Sequence, residues 1–180
     1  MGLFDLFKRK NRKGNARVPA LILQLESGGP AAREEAASGL GALGREAGTA
    51  GDALTAALAD EKKQVRLCAA DALIKVGGDL QKAMDTLTAL LEDTDAEVRR
   101  NAAVQIGRSG ERAGPAAPAL ARVLGDREES VVQAAINALL QVGAAAVPAL
   151  IEVLRSDDDR ARHHAVIAVT RIAHVHSHLC

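Results

Sequence analysis

The sequence contains almost no aromatic residues: its 180 positions include two phenylalanines and neither tryptophan nor tyrosine. A core without aromatic rings has to be built from Leu, Ala, Val and Ile side chains, which suits closely packed helices. Cysteine is also scarce, since only Cys68 and Cys180 are present. Two cysteines give no disulfide framework, and their scarcity favours a reducing compartment.

Signals for membrane insertion and export are lacking as well. No run of about 18 consecutive apolar residues occurs, so we expect no membrane-spanning segment. The first residues lack the longer apolar core and the cleavage site of a secretory signal peptide. These absences, together with the cysteine content, predict a cytoplasmic protein.

The motifs of common catalytic sites are missing too. The sequence has no Gly-rich phosphate loop, no Cys-x-x-Cys and no Gly-x-Ser-x-Gly, which are the patterns that would place phosphate-binding, redox or hydrolytic chemistry. We therefore predict a protein that is not an enzyme and that uses no cofactor.

The main feature that the sequence does contain is a repeat with a period of 33 residues. Glycines keep this spacing at Gly44, Gly77, Gly110 and Gly143. Leucines follow it at Leu21, Leu54, Leu87 and Leu120, with a last step of 30 to Leu150, and again at Leu25, Leu58, Leu91, Leu124 and Leu154. A fixed period in this range is typical of stacked structural repeats.

Each repeat has the pattern of two helices. The paired leucines are four residues apart, so they share one face of a first helix, helix A. Further apolar columns lie at offsets of eight and eleven residues, which return to one face of a second helix, helix B. These columns are Ala32, Val65, Val98, Val131 and Ala161; Leu40, Leu73, Ile106, Leu139 and Val169; and Leu43, Val76, Val142 and Ile172, in which Ser109 is the polar exception. Residues 18–174 are thus predicted to form five helical hairpins.

The phrases Val65-Arg66 to Gly77 and Val98-Arg99 to Gly110, each preceded by an aspartate, resemble HEAT repeats. The short period and the terminal glycine resemble the bilin-lyase-like subclass of these repeats. The resemblance implies an all-α, right-handed α-solenoid of about five hairpins. It also implies a non-catalytic scaffold or adaptor, with an accessory subunit of a lyase that acts on a tetrapyrrole-bearing protein as the alternative.

An aspartate and an arginine recur six residues apart at the turn between helices A and B, as Asp60 and Arg66 and as Asp93 and Arg99. A carboxylate beside a guanidinium resembles part of an active site, but ion pairs with a structural role have the same appearance. We predict that the aspartate caps helix B and that the arginine connects neighbouring turns.

Charge is distributed unevenly along the chain, although the net charge is zero. Residues 1–17 carry six cations and one carboxylate, which leaves the remaining residues with a net charge of −5. Apolar and basic side chains lie next to each other in this segment, at Leu3, Phe4, Leu6, Phe7, Lys8, Arg9 and Lys10. Such a pattern is typical of short amphipathic anchors that bind a membrane or a partner. A disordered basic tail and a cap over the first hairpin are the alternatives.

The C-terminal segment, residues 175–180, is rich in histidine. With His174 in front of it, it offers His176, His178 and Cys180 as conceivable metal ligands. No carboxylate lies nearby in the sequence to orient the imidazole rings, and chain ends of this kind are usually frayed. We therefore predict a tail and assign no metal site.

Three columns of helix B lie between the apolar ones and are predicted to face outward. They are Glu34, Leu67, Arg100, Gln133 and His163; Ser38, Asp71, Val104, Asn137 and Ile167; and Ala42, Lys75, Arg108, Gln141 and Arg171. We predict that a protein partner binds at Arg100, Val104, Arg108, Gln133, Asn137, Gln141, His163 and Arg171. The arginines favour an acidic segment of that partner, whereas nucleic acid is disfavoured because the repeats are net acidic.

Overall fold

The computed structural model describes residues 16–177, with side chains described from residue 16 to His174. Every regular element within this range is helical, so the prediction of an all-α fold is confirmed. The α-helices are α1 (16–27), α2 (Pro30–Leu43), α3 (Gly51–Ala57), α4 (Lys63–Val76), α5 (Leu80–Leu90), α6 (Ala96–Arg108), α7 (Ala117–Arg122), α8 (Glu129–Val142), α9 (Val147–Leu154) and α10 (Asp159–Ser177). In chain order they form five pairs, each with a shorter helix A and a longer helix B, as predicted.

The chain divides into two compact units, and the boundary falls inside α5, between Thr86 and Leu87. In the first unit α2 and α3 pack against α4. In the second unit α8 packs against both α6 and α10, and α9 packs against α10. Helix B of one pair therefore contacts helix B of the next within each unit, which is the arrangement expected of stacked repeats.

The core of both units is aliphatic. The predicted columns supply most of it, with the buried members Leu25, Leu40, Leu54, Val65, Leu73, Val76, Leu87, Leu91, Val98, Ile106, Leu120, Leu124, Val131, Leu139, Val142, Leu150, Ala161 and Ile172. The half-buried members are Leu21, Ala32, Leu43, Leu58, Ser109, Leu154 and Val169. Most of the half-buried members belong to the first or the last pair, where neighbouring repeats cover one side only.

The glycines that keep the 33-residue period end the B helices. Gly44, Gly77, Gly110 and Gly143 have φ angles of 56°, 84°, 59° and 71°. Within residues 16–177 no other residue type has a positive φ. Because a Cβ atom disfavours this region of backbone space, glycine is the residue that allows the chain to leave helix B at this angle.

Two further glycines allow consecutive B helices to approach each other closely. A Cβ atom added to Gly41 would lie 3.2 Å from Cα of Ala72, and one added to Gly107 would lie 2.8 Å from Cα of Ala138. Glycine has a low helix propensity, so Gly41 should weaken α2. The structure explains its presence, since the backbone of α4 occupies the space that a side chain would need.

One stretch within the described residues, Glu129–Leu154, is long and apolar enough to cross a membrane by length and composition, and an 18-residue window in it has a mean hydropathy of 1.8. Polar residues interrupt the stretch, so the criterion of an unbroken apolar run did not identify it. In the structure half of that window is buried inside the protein. It consists of α8 and α9 with a break at Gly143, which has a positive φ. These two helices contribute to the core of the second unit.

Gly107→Ala is expected to destabilise the protein, although alanine is the better helix former. The gain in helix propensity of about 1 kcal/mol is outweighed by an overpacking cost of about 1–3 kcal/mol at Ala138. Gly51→Ala is the matched control, because nothing lies within 4 Å of a Cβ atom added there. We expect the control to stabilise by up to about 1 kcal/mol. Urea unfolding measures both effects, and equal stability of the two variants would contradict the close approach of α6 and α8.

Candidate functional site

The predicted partner-binding residues lie on three B helices of the second unit, α6, α8 and α10. Seven of the eight are classed as exposed and Arg100 as half-buried: Arg100, Val104, Arg108, Gln133, Asn137, Gln141, His163 and Arg171. Val104 keeps 42% of its surface exposed. We refer to these eight residues as the B-helix ridge. The structure places them on the surface, and their role in binding remains a prediction.

One residue of the predicted outward columns is misassigned. Leu67 on α4 keeps only 3% of its surface exposed, whereas Glu34 in the same column and Lys75 on the same helix are exposed as predicted. Burying a leucine side chain gains about 1.5–3 kcal/mol, so a leucine at the border of the core turns inward where a charged residue would not. A prediction from the column position alone ignored this difference.

Two ridge side chains already have partners near the start of their helices. Arg100 Nη2 lies 3.8 Å from Glu97 Oε1, and Gln133 Nε2 donates to Glu129 Oε1 at 2.7 Å. Glu129 also pairs with Arg160 across 3.3 Å. The hydrogen bond from Gln133 lowers the pKa of Glu129, so this carboxylate stays ionised.

A groove opens further along α8 and α10, with a volume of about 760 Å³. Its lining residues are Asn137, Leu140 and Gln141 from α8 and Thr170, Arg171 and His174 from α10. Three of these six, Asn137, Gln141 and Arg171, belong to the B-helix ridge. The sequence could indicate their exposure, but only the packing of α8 against α10 shows that they share one groove.

The recurring arginine forms a bridge between consecutive hairpins, and its partner is 27 residues away. Arg99 Nε and Nη2 donate to the two carboxylate oxygens of Asp126 at 2.7 and 2.9 Å. Its Nη1 donates to the backbone oxygens of Asp93 and Thr94 at 2.8 and 3.1 Å. Arg33 makes the same bidentate contact with Asp60. The prediction that the arginine connects neighbouring turns is thus confirmed for Arg99.

The aspartate of each bridge also orders the turn before helix B. Asp126 Oδ1 accepts a hydrogen bond from the backbone N–H of Glu128 at 2.9 Å, and Asp60 Oδ1 accepts one from Lys62 at 2.8 Å. These N–H groups belong to the residues immediately before α8 and α4, so the carboxylate supports the turn and does not cap the first helical N–H groups. The predicted helix cap is wrong in this detail.

The bridge is missing between the fourth and fifth hairpins, where both of its positions have changed. Val132 occupies the position of Arg99, and Ser156 occupies the position of Asp126. Both side chains of the Arg99–Asp126 pair are about nine-tenths buried. An unpaired carboxylate at such a buried position would destabilise the fold through its desolvation penalty. Replacing the arginine and the aspartate together avoids this unpaired charge.

The electrostatics of the bridges agree with this geometry. Burial raises the pKa of Asp126, but the hydrogen bonds from Arg99 and from the Glu128 N–H outweigh that effect and leave the pKa below its ordinary value. The hydrogen bond from Arg33 lowers the pKa of Asp60 in the same way. Both aspartates are therefore ionised at neutral pH, which suits a structural role and makes neither of these two carboxyl groups available as an acid.

Sequence reasoning missed one buried polar residue, His164 on α10. It keeps 8% of its surface exposed, and its Nδ1 atom lies 2.9 Å from the backbone oxygen of Leu124. Since a carbonyl oxygen only accepts, Nδ1 carries the proton of this hydrogen bond. The contact joins the fifth hairpin to the fourth, and no motif in the sequence would have indicated it.

Cys68 is the free cysteine among the described side chains. Burial raises the pKa of the Cys68 thiol, which keeps it protonated and poorly nucleophilic at neutral pH. No group of three or more His, Cys, Asp or Glu side chains within the described part of the chain could hold a metal ion. The side chains of His176, His178 and Cys180 lie outside that part, as does the whole apolar and basic segment from Leu3 to Lys10.

Comparison with known families and structures agrees with the repeat architecture. The family model for HEAT repeats matches residues 18–106 and 84–170. No curated protein sequence matches the chain. An engineered protein of known structure is 24% identical, with a TM-score of 0.58 over 87% of this chain and 79% of that chain.

Two further solved structures share the fold. The complex of CpcE and CpcF of phycocyanin lyase from Nostoc sp. PCC7120 is 28% identical, with a TM-score of 0.57 over 86% of this chain. This chain spans 64% of the lyase chain, which is less than two thirds of its length. A designed armadillo repeat protein in complex with the peptide (KR)4 is 20% identical, with a TM-score of 0.55 over 90% of this chain and 86% of that chain.

Arg99→Val is expected to destabilise the protein by about 2–3 kcal/mol, because it leaves Asp126 without its counter-charge. This is below the ~3–5 kcal/mol typical of a fully buried pair, since about a tenth of each side chain remains exposed. The double variant Arg99→Val with Asp126→Ser copies the Val132 and Ser156 pair of the next junction. It should recover at least half of the loss, as measured by urea unfolding at pH 7. A double variant less stable than Arg99→Val would contradict the proposed compensation.

Proposed function

Because this chain belongs to the family of HEAT repeats, we propose that it is a non-catalytic scaffold or adaptor that binds a protein partner along the B-helix ridge. The repeat fold supports this role, since stacked hairpins present long surfaces that suit peptides and protein domains. Two of the structural neighbours were solved together with a partner chain or a peptide. Both observations support protein binding as the general function.

The observation that carries the proposal is the exposure of the B-helix ridge on three consecutive B helices. The apolar columns of the same helices are buried, so the residues between them are not required for the core. Most of the ridge side chains are polar and able to form hydrogen bonds. A surface repeated from helix to helix in this way can contact an extended partner at several points.

The charge of the ridge favours an acidic segment of the partner. The eight residues include three arginines, Arg100, Arg108 and Arg171, and no carboxylate. Arginine binds carboxylates with two parallel hydrogen bonds, which adds specificity to the attraction between charges. Nucleic acid fits less well, because residues 18–180 have a net charge of −5 and phosphate binding depends on many cations.

A role as an accessory subunit of a bilin-lyase-like enzyme is the alternative. The likeness to the phycocyanin lyase complex, at 28% identity, is the observation in its favour. In that case the partner would be a protein that carries a tetrapyrrole. The two functions differ in the partner and share the binding surface, so the identity of the captured protein distinguishes them.

Residues 1–17 are the part of the proposal that concerns location. Their six cations and their apolar residues Leu3, Phe4, Leu6 and Phe7 favour reversible attachment of a cytoplasmic protein to an anionic membrane surface. Each cation near such a surface contributes about 1 kcal/mol. An apolar stripe of only four residues adds too little for permanent anchoring.

Arg100→Glu combined with Arg108→Glu should strongly reduce capture of the partner in a pull-down from the native cell at physiological salt. The reason is the reversal of two of the three ridge charges. Helix content and melting temperature should stay nearly unchanged, because both side chains are largely outside the core. The matched control is Arg122→Glu with Arg155→Glu, which makes the same change of charge at exposed positions outside the ridge.

Equal capture by the ridge variant and the control would refute the ridge as the binding surface. The absorption spectrum of the captured material decides between the two functions. A captured protein that absorbs visible light as a tetrapyrrole does supports the lyase-related role. A colourless partner supports the scaffold.

Flotation with anionic liposomes tests the membrane contact of the N-terminal segment. At low salt the full chain should float with the vesicles, and deletion of residues 1–13 should abolish flotation because most of the cations are removed. The melting temperature of the repeats should not change. Flotation of the truncated chain, or none of the full chain, would instead favour a tail without membrane contact.

A further inference from the structure

The groove between α8 and α10 combines hydrogen-bond donors with one permanent positive charge. Asn137 and Gln141 contribute side-chain amides, Thr170 contributes a hydroxyl and Arg171 contributes a guanidinium. None of the six lining residues is a carboxylate. Leu140 offers an aliphatic surface that suits the methylene groups of a bound side chain. We propose that this groove is a subsite for an aspartate or glutamate side chain of a bound peptide, an inference that rests on the protein-binding function proposed above.

The carboxylates closest in sequence on the two helices are engaged elsewhere. Glu129, at the start of α8, accepts a hydrogen bond from Gln133 and pairs with Arg160. Asp159, at the start of α10, pairs with Arg162. Eight residues of helix, or about 12 Å, separate Glu129 from Asn137. Neither carboxylate lines the groove, so the charge of Arg171 is not neutralised by them.

The C-terminal end of α8 repels an anion, but this repulsion is weaker than the attraction by Arg171. The last carbonyl groups of a helix act like roughly half a negative charge, and α8 ends at Val142, close to Gln141. The guanidinium carries one full positive charge on the opposite wall. The balance therefore favours an anionic group, and it favours one that contacts α10 more closely than α8.

A peptide suits this groove better than a small inorganic anion. The amides of Asn137 and Gln141 each have an oxygen that accepts and a nitrogen that donates. An inorganic anion would use only the donors, whereas a peptide backbone supplies both an N–H and a C=O group. With a volume of about 760 Å³, the open groove also has room for a group much larger than phosphate.

This assignment places the specificity for acidic residues at Arg171. Arg100, on the first turns of α6, is already 3.8 Å from Glu97. An arginine that has a carboxylate neighbour gains less from a second one, since the first has satisfied part of its charge and some of its donors. Arg171 is the one permanently charged residue that lines the groove, so its substitution should change the charge preference of this subsite.

Fluorescence anisotropy with two labelled peptides tests the subsite. The probes are an eight-residue alternating Glu-Ser peptide and a Lys-Ser peptide of the same length, added to the full chain at about 0.1 M salt. The acidic peptide should bind and the basic one should not. Arg171→Glu should raise the Kd for the acidic peptide by at least about tenfold, because one charge-assisted contact becomes repulsive. Arg171→Lys should raise it less, since it keeps the charge and loses the bidentate geometry.

Arg155→Glu is the matched control, an exposed charge reversal at the end of α9 that should change the Kd by less than about twofold. Circular dichroism melting confirms that all variants fold. Absence of binding by the acidic peptide, or an equal Kd for Arg171→Glu and the wild type, would overturn the subsite. Displacement of the peptide by inorganic phosphate at constant ionic strength would overturn it as well, because it would indicate a site for small anions.

The native partner separates this inference from the more general function. If Arg171→Glu captures the partner normally while the Arg100 and Arg108 variant does not, the ridge binds the partner and the subsite is wrong. If neither variant loses the partner, the protein-binding surface itself is wrong. Loss of capture in both variants supports the two assignments together.

Discussion

The bidentate bridge between Arg99 and Asp126 fixes how one hairpin lies on the next. Apolar contacts between helices are non-directional, and a stack of leucines and alanines could tolerate a shift along the helix. The guanidinium has a fixed geometry, with two donors on the next carboxylate and one shared by two carbonyl oxygens of its own turn. This combination aligns consecutive turns, as Arg33 and Asp60 do in the first unit.

The absence of aromatic residues from the core is connected with the close spacing of the B helices. Gly41 faces Ala72 and Gly107 faces Ala138, at distances that leave no room for a larger side chain. Many other buried residues of these B helices are also alanines, which keeps the helices close along their length. A tryptophan or tyrosine would force the helices apart. The stability of each unit therefore comes from many aliphatic contacts together with a few directional polar ones.

The helix pairs could be predicted from the sequence, since the glycine and leucine columns depend only on the period and on helical geometry. It also indicated that Arg171 and Asn137 are exposed. It could not indicate the buried Leu67, the hydrogen bond of His164 or the groove itself. These features depend on the distances between helices, which a pattern along a single chain does not contain. The sequence also contains the 27-residue spacing of Arg99 and Asp126, which form the bridge. The prediction instead used the six-residue spacing of the aspartate and arginine within one turn.

The change to Val132 and Ser156 has a consequence for the stability of the last hairpin. Its polar contacts to the fourth hairpin include the hydrogen bond from His164 to Leu124 and the exposed pair of Arg160 with Glu129. Segments held by fewer directional contacts open locally at a lower free energy than the rest of a protein. The groove between α8 and α10 crosses this junction, so it exists only while the last hairpin is docked. Any ligand of the groove must therefore also stabilise the docked hairpin, and occupancy of the groove and protection of α10 from hydrogen exchange are two measures of one equilibrium.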